Sequence, residues 1–190
     1  MGTNNNRLRI AVAAHGCKLN QAEADVISRR FVEAGYVLVE QSDYADVYIL
    51  NSCSVTHVAD SKARQWLRKA RRKNPKASII ATGCYATRAP SDIKELKVVD
   101  LIVTNQNKDN LTESTKRLLA TDGYKSMPAP DIYSKSLNKV KIDRVRRFIK
   151  IQEGCNQFCE FCVIPFTSGR ESNVPSQIVY SEIQQPIQEG

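Results

Sequence analysis

The chain has 190 residues, of which 42% are hydrophobic and 25% charged, and its formal net charge at pH 7 is +8. These values are typical of a globular protein and exclude a collagen-like, disordered or small disulfide-rich chain. No apolar run reaches the roughly 18 residues that a membrane helix needs, and the polar first residues lack the apolar stretch of a signal peptide. We therefore expect a cytoplasmic protein with no membrane partner.

Apolar runs alternate with helix-period stretches through the first part of the chain. This alternation predicts an α/β fold with a mostly parallel sheet and helices on its faces. The predicted strands are 8–14, 36–39, 46–50, 78–81 and 99–103, and the predicted helices are 21–34, 59–72, 91–96 and 111–120. Residues 121–138 are rich in Gly, Pro, Ser and Asp, which predicts a loop or linker.

A second unit is predicted after this linker. It consists of a strand at 148–152, a cysteine-rich loop and a helix at about 176–188, in which Pro186 is expected to cause a kink or an early end. The predicted organisation is thus an N-terminal α/β domain over 1–122, a linker over 123–145 and the beginning of another domain over 146–190.

Positive charge is concentrated in two runs. Residues 62–76 contain eight Lys or Arg and no acid, and residues 139–150 contain six with Asp143 as the single acid. Such a local excess suits phosphate binding, because neutralising phosphates releases counterions; the alternative is a solvated helix face. Spacings of three and four place residues on one helix face, and we expect four arginines to face RNA. They are Arg64, Arg68, Arg71 and Arg72. Trp66 is expected to be a core anchor.

Three cysteines follow three of the predicted strands. Cys17 comes after the first strand, Cys53 after the third and Cys84 after the fourth, each by two to three residues. In a parallel sheet these loops leave the same carboxyl edge, where open α/β sheets bind ligands. Gly16 and Gly83 precede two of the cysteines and suit a tight turn or a close approach. We therefore expect the three thiols to meet.

Several interpretations of these thiols stay open. Disulfides are disfavoured in a reducing compartment. The thiols can simply be buried, as free cysteines often are. They can bind zinc with His15 or His57 as a fourth ligand, although paired C-x2-C knuckles are missing. Three thiolates without a fourth also suit an iron–sulfur cluster with one open iron.

The remaining cysteines lie in one short segment. Cys155, Cys159 and Cys162 form a C-x3-C-x2-C pattern directly after the strand predicted at 148–152. Three ligands on one loop can hold three corners of a cubane cluster and leave the fourth iron for a small molecule, whereas ferredoxin-type spacing closes the cluster with four thiolates. This pattern therefore predicts an iron–sulfur site with an open iron.

The spacing resembles the signature of the radical S-adenosylmethionine (radical SAM) family, and Phe161 before the third cysteine fits that pattern. Other segments resemble radical SAM methylthiotransferases, and most closely the branch that acts on N6-threonylcarbamoyladenosine in tRNA. These segments are 16–21, 54–56, 59–65, 83–86, 154–156, 164–166 and 169–171. Lys18 and Leu19 follow the first cysteine, where the isopentenyladenosine branch tends to have Gln-Met and the ribosomal-protein branch Pro-Lys.

The resemblance implies two [4Fe-4S] clusters and S-adenosylmethionine as cofactors. Cys17, Cys53 and Cys84 would bind an auxiliary cluster, and Cys155, Cys159 and Cys162 the radical SAM cluster, with Phe161 beside its cofactor. The implied reaction adds a methylthio group to C2 of N6-threonylcarbamoyladenosine at position 37 of tRNA. An electron donor such as flavodoxin or ferredoxin is implied as a further partner; the sequence does not indicate the oligomeric state.

A radical SAM barrel needs on the order of 200 residues, far more than the segment 146–190. We therefore expect the first strand, loop and helix of a truncated barrel, no C-terminal RNA-binding domain, and no activity of this chain alone. The alternatives are a methylthiotransferase for isopentenyladenosine tRNA or a ribosomal protein, and a zinc-stabilised RNA-binding fragment without catalysis.

Overall fold

The computed structural model describes residues 7–54, 56–121 and 148–189, with side chains as far as residue 184. The predicted linker 123–145 and most of the second basic run lie outside the described residues. The division into 1–122, 123–145 and 146–190 stays a prediction. Within the described ranges, no helix is both long enough and apolar enough to cross a membrane.

A five-stranded parallel sheet forms the centre of the N-terminal part, in the order β2-β1-β3-β4-β5. The strands are β1 (Arg9–His15), β2 (Val37–Val39), β3 (Val47–Ser52), β4 (Ser78–Gly83) and β5 (Leu101–Val103). Every residue of β3 and β4 is buried, as expected for central strands covered on both faces. The predicted α/β fold with a mostly parallel sheet is confirmed.

Five α-helices and one 3-10 helix occur in the described part of this domain. They are α1 (Lys18–Glu33), α2 (His57–Lys73), α3 (Cys84–Arg88), α4 (Pro90–Glu95), the 3-10 helix Asn105–Asn110 and α5 (Leu111–Thr121). The four predicted helices are confirmed with ends shifted by a few residues. The short α3 and the 3-10 helix were not predicted, because so few residues show no helical period.

Side chains of β3 alternate between two hydrophobic cores. Tyr48 and Leu50 pack with Leu67 of α2, whereas Ile49 packs with Phe31 of α1. This alternation follows from the period of two in a strand. Because helices cover both faces of the sheet, the strand ends are the part left for a site.

The described residues 148–189, called the C-terminal segment below, contain two short strands and two helices. They are β6 (Gln152–Glu153), α6 (Ile164–Thr167), β7 (Ser172–Asn173) and α7 (Ser176–Glu189). The strand predicted at 148–152 is wrong over most of its length, because the antiparallel partner β7 pairs only with residues 152 and 153. The predicted helix at 176–188 is confirmed, whereas the early end expected at Pro186 is wrong, because the helix continues to Glu189. The beginning of a barrel stays a prediction.

Candidate metal centre at the carboxyl edge of the sheet

Three cysteines lie at neighbouring strand ends. In the strand register His15 pairs with Ser52, and Ser52 pairs with Gly83. Cys53 and Cys84 therefore follow their strands directly rather than after the predicted two to three residues, because β3 and β4 extend farther than predicted. Cys17 is the N-cap residue of α1, two positions after β1.

Two glycines let the backbone approach closely at this edge. Gly16 has φ +129°, and a Cβ at this position would overlap the Cβ of Cys53. Gly83 has φ +94°, and a Cβ there would overlap the carbonyl oxygen of Ser52 and lie 2.6 Å from Oδ1 of Asn51. Both backbone conformations are rarely adopted by residues with a side chain. Gly16 therefore brings the Cys17 loop directly against Cys53, and Gly83 brings the end of β4 directly against the end of β3.

Burial differs among the three thiols. Cys53 and Cys84 are 5% and 8% exposed, whereas Cys17 is exposed. Burial raises the pKa of the Cys84 thiol, and a hydrogen bond with Thr167 of α6 offsets part of that shift. Nδ2 of Asn105 donates to the Thr167 carbonyl oxygen at 2.8 Å. The C-terminal segment thus covers Cys84.

The donor set at this edge suits an iron–sulfur cluster, but the thiols are not arranged around a common centre. Across the described ranges, no group of three or more His, Cys, Asp or Glu is placed to hold a metal ion. Thiolates are the usual ligands of iron–sulfur clusters. Three buried polar atoms beside the cysteine-bearing elements have no hydrogen-bond partner in the described structure: Nδ1 of His15, Oγ1 of Thr82 and Oδ1 of Asn105. Cluster binding at this edge therefore requires side-chain rearrangement.

A buried polar network lies beneath the cysteines, and sequence reasoning missed it. Glu23 accepts hydrogen bonds from Nδ2 of Asn51 (3.1 Å) and Nζ of Lys108 (2.6 Å), and Nζ of Lys150 lies 3.5 Å from its Oε1. Burial alone would raise the pKa of Glu23, but these three partners hold it below its usual value. The sequence signal for this network was a charged residue, Glu23, on the face of α1 that packs against the sheet. Its partners are distant in sequence and could not be predicted from a local pattern.

The second cysteine set lies on a loop whose two ends are tied together. The backbone N–H of Cys155 donates to the Gly169 carbonyl at 3.2 Å, and that of Glu171 donates to Oδ1 of Asn156 at 3.2 Å. Within the loop, the N–H of Cys162 donates to the Cys159 carbonyl at 2.9 Å. Two segments that support the family resemblance, 154–156 and 169–171, are therefore in contact.

The three thiols of this loop are accessible. Cys159 is exposed, and Cys155 and Cys162 are half-buried. Phe161, predicted to lie beside a cofactor, is 94% exposed. The ring of Phe158 packs edge-on against Phe166 instead, with 6.4 Å between the ring centroids.

The four arginines predicted to face RNA have different surroundings on α2. Arg71 donates to the carbonyl oxygens of Pro75, Ala77 and Val98 and to Asp100. Nη1 of Arg64 donates to the hydroxyl of Tyr85 at 3.0 Å. Arg68 and Arg72 instead line an open groove of about 550 Å³. Its other lining residues are His15, Lys62, Gln65, Trp66 and Lys69.

The floor of this groove is aromatic. Trp66 makes edge-to-face contacts with Tyr48 and His15, at centroid distances of 6.0 and 6.1 Å, and it packs against the core. Trp66 is therefore a core anchor, as expected. Burial lowers the pKa of His15, and the nearby Lys62 lowers it further. The groove is thus bordered by lysines and arginines, with His15 neutral at physiological pH.

The fold and this edge define a class: an α/β domain that gathers thiols at the ends of parallel strands, joined to a segment with a C-x3-C-x2-C loop. Residues 9–104, from the first residue of β1 to just beyond β5, match the family described as "Uncharacterized protein family UPF0004". The chain belongs to this family.

Several curated relatives align along nearly the whole chain. A threonylcarbamoyladenosine tRNA methylthiotransferase MtaB from Aquifex aeolicus is 36% identical over 96% of this chain and 46% of the relative. The protein of the same name from Bacillus subtilis is 36% identical over 94% of this chain and 41% of the relative. A tRNA-2-methylthio-N(6)-dimethylallyladenosine synthase from Chloroherpeton thalassium is 30% identical over 98% and 42%. The chain spans less than half the length of these relatives.

Proposed function

We propose that this chain provides the cluster-binding part of a tRNA methylthiotransferase that acts on N6-threonylcarbamoyladenosine at position 37. The observation that carries the proposal is the position of Cys17, Cys53 and Cys84 at neighbouring strand ends on one edge of the sheet, with the segment that bears the C-x3-C-x2-C loop in contact with the same edge through Thr167. The names of the relatives support the reaction class.

Each cysteine set would hold one [4Fe-4S] cluster. When bound, the two clusters and S-adenosylmethionine supply the one-electron chemistry and the sulfur and methyl groups of the transfer. The protein's own part is to present three thiolates per cluster and leave one iron open. Gly16 and Gly83 let the strand ends approach each other closely at the auxiliary site, and Thr167 contacts Cys84. Phe161 is exposed next to Cys162 and is available to pack on a cofactor.

The proposed substrate rests on the more similar relatives. The two that are 36% identical are named for threonylcarbamoyladenosine, whereas the dimethylallyladenosine synthase is 30% identical. Lys18 and Leu19 after the first cysteine favour the same branch. A tRNA substrate also makes the cytoplasm the expected compartment, and a flavodoxin or ferredoxin the expected electron donor.

The groove beside α2 is the proposed contact with tRNA phosphates. Lys62, Arg68, Lys69 and Arg72 line it, and none of them is tied to a described acid. Arg64 and Arg71, predicted with Arg68 and Arg72 to bind RNA, donate instead to protein acceptors. We therefore assign phosphate binding to the groove and a structural role to Arg71.

Metal analysis tests the cluster assignment. After anaerobic reconstitution with iron and sulfide, we expect up to about eight irons per chain from two cubane sites, with broad brown absorbance. Replacing Cys17, Cys53 and Cys84 together by Ala should leave about half, and so should the matched replacement of Cys155, Cys159 and Cys162. Zinc at one mole per chain without iron after anaerobic isolation would contradict the proposal and favour a zinc-stabilised RNA-binding protein.

A hybrid enzyme tests the activity. In it, this chain replaces the aligned part of the Aquifex aeolicus relative, and tRNA bearing either threonylcarbamoyladenosine or isopentenyladenosine is offered with a reductant and S-adenosylmethionine. We expect the mass gain of a methylthio group on the threonylcarbamoyl nucleoside, and none from a hybrid that carries the Cys17, Cys53 and Cys84 replacements. Product only on isopentenyladenosine would overturn the substrate assignment.

A further inference from the structure

We propose that Glu23 couples the docking of the C-terminal segment to the orientation of the Cys17 loop, and so acts as a positioning residue for the three-cysteine site. That the three cysteines form a cluster-binding site rests on the proposed function. The coupling itself is a property of the metal-free protein and is tested there.

One arm of the network runs from Glu23 to Cys17. Nδ2 of Asn51 donates both to Glu23 (3.1 Å) and to the carbonyl oxygen of Asn20 (3.0 Å). Nδ2 of Asn20 donates back to Oδ1 of Asn51 at 3.4 Å, and the Cys17 thiol donates to Oδ1 of Asn20 at 3.0 Å. Asn20 and Asn51 are buried. If one of these buried amides turned, it would lose hydrogen bonds that water cannot replace. A change in the orientation of Glu23 is therefore transmitted through Asn51 and Asn20 to Cys17.

The other arm runs from Glu23 to the C-terminal segment. Lys150 lies 3.5 Å from Glu23 and 2.8 Å from Glu153, just before the loop that carries Cys155. Glu23 is 7% exposed, and a buried carboxylate is costly unless cations compensate it. Lys108 supplies one such cation from within the N-terminal domain. Lys150 is available to Glu23 only when the C-terminal segment is docked.

Among the described residues, two other charged contacts cross this junction, and both are weaker. Nζ of Lys18 lies 5.0 Å from the ring centroid of Phe148, and Arg29 lies 3.8 Å from Glu182. Lys18 is exposed, and Arg29 and Glu182 are half-buried; exposed pairs contribute little. The contact with Glu23 is the most deeply buried of the three. Loss of the contact between Lys150 and Glu23 should weaken the docking of the C-terminal segment and also disturb the hydrogen bonds that lead from Glu23 to Cys17.

The test measures the alkylation rate of each cysteine by iodoacetamide in the reduced, metal-free chain, read by peptide mass spectrometry. In Lys150→Gln the segment should open more often and take Thr167 away from Cys84. We expect Cys84 to react at least about tenfold faster, the factor that corresponds to about 1.4 kcal/mol. Cys17 should accelerate about twofold to tenfold, the range for loss of one hydrogen bond. The exposed Cys159 is the internal reference.

Matched variants separate coupling from simple loosening. Lys116→Gln, on the exposed side of α5, should leave all rates unchanged, and Lys150→Arg should retain the wild-type pattern. Asn20→Ala, at the far end of the network, should accelerate Cys84 as well as Cys17. A thermal melt of every variant identifies global unfolding, and a variant that unfolds is replaced by Glu23→Gln, which keeps the size of the side chain and is expected to accelerate both cysteines.

Two results would overturn the proposal. If Lys150→Gln accelerates Cys84 and leaves Cys17 unchanged, Glu23 holds the segment without coupling. If neither rate changes, Glu23 and Lys108 form a complete pair without Lys150. Neither result bears on iron binding, so failure of the coupling and failure of the proposed function are distinguishable.

Discussion

Nη2 of Arg71 lies 2.6 Å from Oδ2 of Asp100, so the end of α2 is tied to the residue that precedes β5. The same carboxylate oxygen accepts from the backbone N–H of Ile79 at 2.7 Å. Three backbone carbonyls complete the hydrogen bonding of the Arg71 guanidinium. Arg71 therefore joins α2, β4 and β5, while its neighbour Arg72 lines the groove.

We predict that Arg71→Ala lowers the free energy of unfolding by about 2–3 kcal/mol, because it leaves the carboxylate and several carbonyls without their charged donor. Arg72→Ala is the matched control and should change the stability by less than about 0.5 kcal/mol, as expected at an exposed position. Urea denaturation followed by circular dichroism measures both. Equal stability of the two variants would show that the Arg71 contacts contribute nothing.

Joint replacement of Lys62, Arg68, Lys69 and Arg72 by Ala should weaken tRNA binding and flatten its salt dependence. Each lost phosphate contact removes about 0.7 to 0.9 from the slope of log K against log salt concentration. The control replaces Lys94 and Lys116, which are exposed on α4 and α5, and should leave the slope unchanged. Fluorescence anisotropy over a salt series measures it. An unaltered slope in the groove variant would make the groove a solvated surface.

Gly83→Ala should destabilise the domain by roughly 2–3 kcal/mol, because the new methyl group overlaps the Ser52 carbonyl in addition to the strain of a positive φ. Gly35→Ala is the matched control, since φ there is +93° and, apart from the adjoining residues, nothing lies within 4 Å of the added Cβ. Its cost should be limited to about 1–2 kcal/mol of backbone strain. Thermal melts compare the two, and similar losses would show that the close approach at Gly83 costs nothing.

The lowered pKa of Glu23 predicts an acid-sensitive contribution to stability. Because the folded protein holds this carboxylate below the usual glutamate pKa of about 4.3, its contribution is complete above that value and is lost as pH falls through the lower folded pKa. In Glu23→Gln, the free energy of unfolding should therefore fall less steeply as the pH is lowered. Glu33→Gln, at the exposed end of α1, should keep the wild-type dependence of the unfolding free energy on pH. Urea titrations from pH 3 to 7 test this.

The local sequence pattern was sufficient to predict the parallel sheet and the edge of the sheet at which Cys17, Cys53 and Cys84 lie. Strand and helix periods are set by neighbouring residues, and parallel strands necessarily place their ends together. The same reasoning failed at residues 148–151, where an apolar run has no strand in the described structure. An apolar run becomes a strand only if a partner is in register, and β7 reaches only residues 152 and 153.

What the sequence by itself determined is the fold class, the sheet edge and the two cysteine sets, because these depend on periods and spacings along the chain. Only the tertiary structure decided that Arg71 is structural while Arg72 lines a groove, and that Glu23 joins Asn51 to Lys150. Those roles depend on which groups the fold brings within hydrogen-bond distance and on how far it excludes water from them. Neither quantity is a property of a local stretch of chain.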